Sequence, residues 1–148
     1  SGRRGGTHNT AGIAGFAAAV KRLAGRETER LELAKGLRQR FLDRLSGKLE
    51  RFTVLEGKQQ SPYILGLVVE GIKSEVVVRM LSDRQVYVSA GSACSTKEAV
   101  QNHTTKALGF NPDNYLRVSI HPIVPETDLD AGADAIAECC KEFRTLMG

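Results

Sequence analysis

Apolar and polar positions along this chain switch between two periods, and the switches mark its elements. From Asn9 to Leu23 small apolar residues dominate, and Ile13, Phe16, Ala17 and Val20 fall on one face of a helix that Gly25 ends. Leu31, Ala34, Leu37 or Arg38, Phe41 and Leu45 then step by threes and fours, predicting a second helix over 28–45 closed by Ser46-Gly47. RFTVLEG, from Arg51, reads as a short strand. SPYILGLVVEG, held between Pro62 and Gly71, is the clearest strand of all. Ser74 suits the N-cap of a third helix carrying Val77, Val78 and Leu81.

VYVSAGSACST, residues 86–96, opens as an alternating strand over Val86–Ser89 and dissolves into small residues around Cys94. A short helix over 97–109 ending at Gly109 follows, and then a strand from Tyr115 to Ile120 that alternates Tyr115, Arg117, Ser119 against Leu116, Val118, Ile120. Pro125, Glu126 and Asp128 suit the first turn of a last helix. Its buried face is predicted to be Leu129, Ala133, Ile136, Cys140, Phe143 and Met147, with Cys139 pointing elsewhere. Strands and helices interleave without regular βαβ alternation. The fold class this predicts is α+β, a two-layer domain with a short, mainly antiparallel sheet packed on helices.

Composition narrows the class. At 148 residues the chain suits one domain able to bury a working core. No run approaches the roughly eighteen apolar residues of a membrane span, and no secretory-type apolar stretch follows the basic start, so the expected location is the cytoplasm, away from membranes. Three cysteines, Cys94, Cys139 and Cys140, lack CxxC spacing, which argues against a disulfide framework and against a metal site. Between Lys21 and Arg51 ten Lys or Arg face five acids. Such a stripe could meet an acidic partner or nucleic acid, or could be a solvated helix face. The lack of tryptophan and of aromatic interleaving speaks against nucleic acid.

Cys94 stands apart from the other thiols. Ser89, Ala90, Gly91, Ser92, Ala93, Ser95 and Thr96 around it are all small, so a substrate could approach closely. A helix beginning near Thr96 would turn its positive end toward the thiol and favour thiolate. A structural cysteine at a strand end is equally compatible with these residues.

GSAC from Gly91 resembles the active-site loop of cysteine desulfurases, pyridoxal-phosphate enzymes of the class V aminotransferase fold. Three other stretches agree in order. RRGGTHNTAGIAGF from Arg3 resembles the family's R-x-G-T-x-N segment, KALG at 106–109 the close of its cysteine loop, and LRVSI at 116–120, followed by ETDLD, its arginine-bearing strand and final helix. The resemblance spans almost the whole chain. It departs at His121-Pro122, where the family usually has Gly-Arg, and at QNHTTKAL, which lacks the usual Pro-Ser-His.

The resemblance implies roles. Cys94 would be the nucleophile that takes sulfur from L-cysteine as a persulfide. Arg117 would clamp the substrate carboxylate, its alternative being a surface arginine on an edge strand. Thr7 would approach the pyridoxal phosphate of the neighbouring subunit in a homodimer, its alternative being a helix cap. His103 and His121 read as loop histidines. The family's Schiff-base lysine lies before the R-x-G-T segment, and Lys21, Lys35 and Lys48 match nothing there. The expectation is therefore a C-terminal domain, inactive alone. Residues 1–25 would lead from a large domain, and 26–148 would form the small domain, with the cysteine loop near 89–105. Partners would be sulfur-acceptor or iron–sulfur scaffold proteins. Rival readings are a selenocysteine lyase or other class V domain, or a non-catalytic module that binds sulfur acceptors.

Overall fold

The elements of the computed structural model follow the predicted order except for the strand expected over Val86–Ser89: α1 (Thr10–Leu23), α2 (Glu27–Ser46), β1 (Phe52–Leu55), β2 (Ile64–Val69), α3 (Ser74–Asp83), α4 (His103–Ala107), β3 (Tyr115–Ser119) and α5 (Glu126–Met147). The structure describes residues 6–91 and 103–147; Cys94 and positions 97–102 of the predicted short helix lie outside them. The strands pair antiparallel in the order β1-β2-β3, so the α+β expectation holds.

Period-two alternation decides which sheet face is buried. Leu65, Leu67 and Val69 of β2 and Leu116 and Val118 of β3 join one core with Phe41 and Leu45 of α2, Val77 and Leu81 of α3, and Ala133, Ile136 and Cys140 of α5. Truncating a ring as buried as that of Phe41 typically costs about 3–5 kcal/mol. Arg38 sits among these apolar residues because its guanidinium donates to the Ile64 carbonyl at 3.1 Å and to Glu56 at 3.3 Å, tying α2 to β2 and to the residue that follows β1.

Part of the basic stripe has its partner on α5. Arg40 pairs with Glu126 and Asp130, Arg44 with Asp130 and Asp134, and Lys48 with Asp134. The pairing advances one turn along both helices together, so α2 and α5 run parallel. For Arg40, Arg44 and Lys48, neither an external partner nor solvent alone but α5 of the same chain answers the charge.

Several local expectations need correction. Lys73, in extended conformation, holds the cap position of α3, while Ser74 is its first helical residue, buried and without a capping hydrogen bond. Over 86–89 no strand forms; Ser89 alone bridges to β3. The alternation survives nonetheless, since Val86 and Val88 pack on the core and Tyr87 stays exposed. Cys139 is fully buried, against expectation, because α3 packs alongside α5 and widens its covered arc. Met147, expected inside, is exposed on the last turn. On α1 no residue is buried, and Ile13, Phe16 and Val20 lie on the surface.

The exit from α3 aims the 86–91 segment. The Val86 amide donates to Leu81 and the Gln85 amide to Ser82, a Schellman closure in which Gln85 takes a left-handed φ of 61°. A side chain there costs on the order of 1 kcal/mol that glycine avoids. Gln85→Gly is expected to raise the denaturation free energy by about 0.5–1 kcal/mol, read from the urea midpoint at unchanged slope.

Hydrogen bonds from Arg40 hold the Asp130 carboxyl below its ordinary range, and those from Arg44 and Lys48 do the same for Asp134. Folded values below unfolded ones mean the stabilisation is complete above about pH 4 and is lost as pH falls through the folded values. An Asp130→Asn, Asp134→Asn variant should melt below the parent at pH 7, with the gap narrowing between about pH 4 and pH 2. Circular-dichroism melts across that range check it; a gap independent of pH would refute it.

Candidate functional site

The helices cover one sheet face, so the alternate residues of β3, Tyr115, Arg117 and Ser119, are turned to the other. Register places Leu55, Gly66, Arg117 and Ser89 in one row across that open face. Each neighbour of Arg117 in the row matters. On the β2 side stands Gly66, which offers no side chain. A Cβ there would meet the Tyr115 ring at 3.1 Å and its hydroxyl at 3.3 Å, so the Tyr115 ring lies over Gly66. On the other side, the Ser89 amide donates to the Arg117 carbonyl at 3.1 Å and the Arg117 amide to Ser89 at 2.7 Å. The Arg117 Nη2 group also donates to Ser89 Oγ, at 3.4 Å.

Among the described residues, no carboxylate pairs with Arg117. Arg26, Arg38, Arg40, Arg44 and Arg84 each pair with an acid, and half-buried Arg144 donates to the Glu50, Arg51 and Glu70 carbonyls. Arg117 is half-buried too, yet its one described side-chain contact is a neutral hydroxyl. Burial pushes the Tyr115 phenol up, and the nearby Arg117 charge opposes that shift. Such an arrangement suits a planar carboxylate bound through two parallel N–H bonds.

The other predicted site residues fall elsewhere. Thr7 is exposed just ahead of α1, but it does not cap the helix: Asn9 does, accepting from the Gly12 amide at 2.9 Å. Cys94 lies outside the described residues, three positions past Gly91, where the described part of its segment ends. Cys139 and Cys140 are shut in the core, where burial raises both thiols, Cys140 to about 12. His121 is exposed and accepts the Ile123 amide at its Nδ1, the loop role expected of it; His103 opens α4. Among the described residues no cluster of His, Cys, Asp or Glu could hold a metal, and no helix is long and apolar enough to cross a membrane. Sequence reasoning missed Ser89, Gly66 and Tyr115 as the setting of Arg117. A glycine inside the apolar run of β2 was the available signal of a close approach.

The pattern of the Aminotransferase class-V family matches residues 1–131. A cysteine desulfurase of Klebsiella pneumoniae is 32% identical, over 98% of this chain and 37% of that protein. A NifS/IcsS protein homolog of Lactobacillus delbrueckii subsp. bulgaricus is 34% identical, over 72% of this chain and 28% of that protein. In fold, the chain is similar to a NifS-like protein from Rickettsia africae, with a TM-score of 0.75 at 19% identity over 93% of this chain and 36% of that one. The cysteine desulfurase CsdA from Escherichia coli superposes with a TM-score of 0.68 at 22% identity, over 95% of this chain and 33% of that one. The chain thus spans about a third of the length of the relatives it matches.

At limiting alkylating reagent and neutral pH, label is expected on Cys94 and not on Cys139 or Cys140, whose thiolate forms are suppressed by burial. Peptide mapping checks this; equal labelling of Cys140 in the folded chain would contradict its placement in the core.

Proposed function

The chain belongs to the class V aminotransferase family, and from that premise we propose that it is the C-terminal domain of a cysteine desulfurase. The observation that carries the reading is Arg117: half-buried on the open sheet face, unpaired with any carboxylate among the described residues, and bridged to the segment that leads toward Cys94. Its guanidinium would grip the carboxylate of L-cysteine and fix the amino acid's orientation. Cys94, as thiolate, would accept the substrate's sulfur as a persulfide and hand it to an acceptor protein for iron–sulfur or thio-cofactor assembly. Residues 1–25 would connect to the large domain of such an enzyme, with 26–148 as its small domain. We place the whole enzyme in the cytoplasm as a homodimer.

Pyridoxal phosphate is the cofactor this reading implies. Thr7 could offer a hydroxyl to the cofactor's phosphate. Lys35 and Lys48 are engaged with Glu32 and Asp134, and Lys21 stands on the exposed helix α1. By the family resemblance, the Schiff-base lysine and the ring contacts are assigned to the large domain of such an enzyme, and this piece alone would be inactive. What this chain would supply is the carboxylate grip and the sulfur-accepting thiol. The 32% identity to a protein named a cysteine desulfurase, over 98% of this chain, favours desulfurase over other class V activities.

In the complete enzyme, Arg117→Ala should lower kcat/KM for L-cysteine by about tenfold or more, since a charge-assisted pair of hydrogen bonds is worth roughly 1.5–3 kcal/mol. Its melting temperature should hardly move. Unchanged kinetics would remove Arg117 from the site.

A further inference from the structure

Arg117 has a flexible side chain, and a grip on a carboxylate needs its planar end held in one direction. The row across the open face leaves few groups to do this. Gly66, directly opposite on β2, has no side chain, and the space above it is taken by the Tyr115 ring. Ser89, directly opposite on the other side, touches Arg117 three times: by two backbone hydrogen bonds and by its hydroxyl on Nη2. The backbone bonds fix where Ser89 stands, and Val86 and Val88 anchor the same segment in the core, so the hydroxyl is presented from a firm base. A neutral acceptor suits the task. A carboxylate at this position would satisfy the guanidinium and abolish its appetite for substrate. Bound to one hydrogen of Nη2, the serine leaves the other four N–H groups of the guanidinium available.

We propose that Ser89 is a positioning residue for Arg117, and that its hydroxyl sets the preference of the site for ligands that carry a carboxylate. This rests on the reading of Arg117 as the substrate-carboxylate grip. It assigns specificity to a residue that touches the arginine rather than the substrate.

The test compares two ligands in the full-length enzyme, L-cysteine and cysteamine, which differ by the carboxylate. Dissociation constants for both are measured alongside the KM and kcat for sulfur release from L-cysteine. Ser89→Ala should weaken L-cysteine binding by about fivefold, the worth of one hydrogen bond, and leave cysteamine unchanged. Ser89→Thr, which keeps the hydroxyl, should restore the preference. The change should lie in KM, with kcat nearly constant. Equal weakening of both ligands would show a merely structural role, and an unaltered ratio would show no role; either overturns the proposal. A wild-type enzyme that binds the two ligands alike would instead bring down the reading of Arg117, and this inference with it.

Discussion

A three-stranded sheet with helices packed on one face is the constraint from which this domain's properties descend. Burial of Leu65, Leu67, Leu116 and Val118 against α2 and α5 fixes the register of β2 and β3, because a slip of one residue would turn that apolar row to solvent. The same pleat then puts Arg117 on the open side. Its position is a by-product of what the core requires of its neighbours. Gly66, opposite the arginine, leaves room on the same side for the Tyr115 ring.

Charge is sorted by the same geometry. Along the covered side, arginines and carboxylates of α2 and α5 neutralise each other in a ladder that keeps two like-directed helices in step. Such exposed pairs add modestly to stability; their stronger effect is on register. On the other side Arg117 has no carboxylate partner among the described residues, and a half-buried guanidinium in that state suits the proposed carboxylate grip.

Much of this could be read from the chain. The 3.6-residue steps of Phe41 and Leu45, and of Ala133, Ile136 and Cys140, identify helix faces that the core indeed buries, and the alternation around Arg117 places it opposite Leu116 and Val118. What escaped reading depends on contacts between distant residues. Cys139 is buried because a second helix reaches α5, which no periodicity within α5 encodes. Segment 86–89 has the alternation of a strand but pairs only at Ser89. Its approach to β3 is set by the turn at Gln85, a left-handed position occupied by a residue that does not advertise it. The neighbours of Arg117 were hidden for the same reason, since register across strands is a tertiary fact.

The most direct test of a sulfur-accepting domain is the mass of its cysteine peptides. The complete enzyme, given L-cysteine without an acceptor protein and then digested under non-reducing conditions, should yield the Cys94 peptide one sulfur atom heavier, with the Cys139–Cys140 peptide unchanged. A Cys94 peptide of unaltered mass in an enzyme that nonetheless releases sulfur from cysteine would contradict the account at its centre.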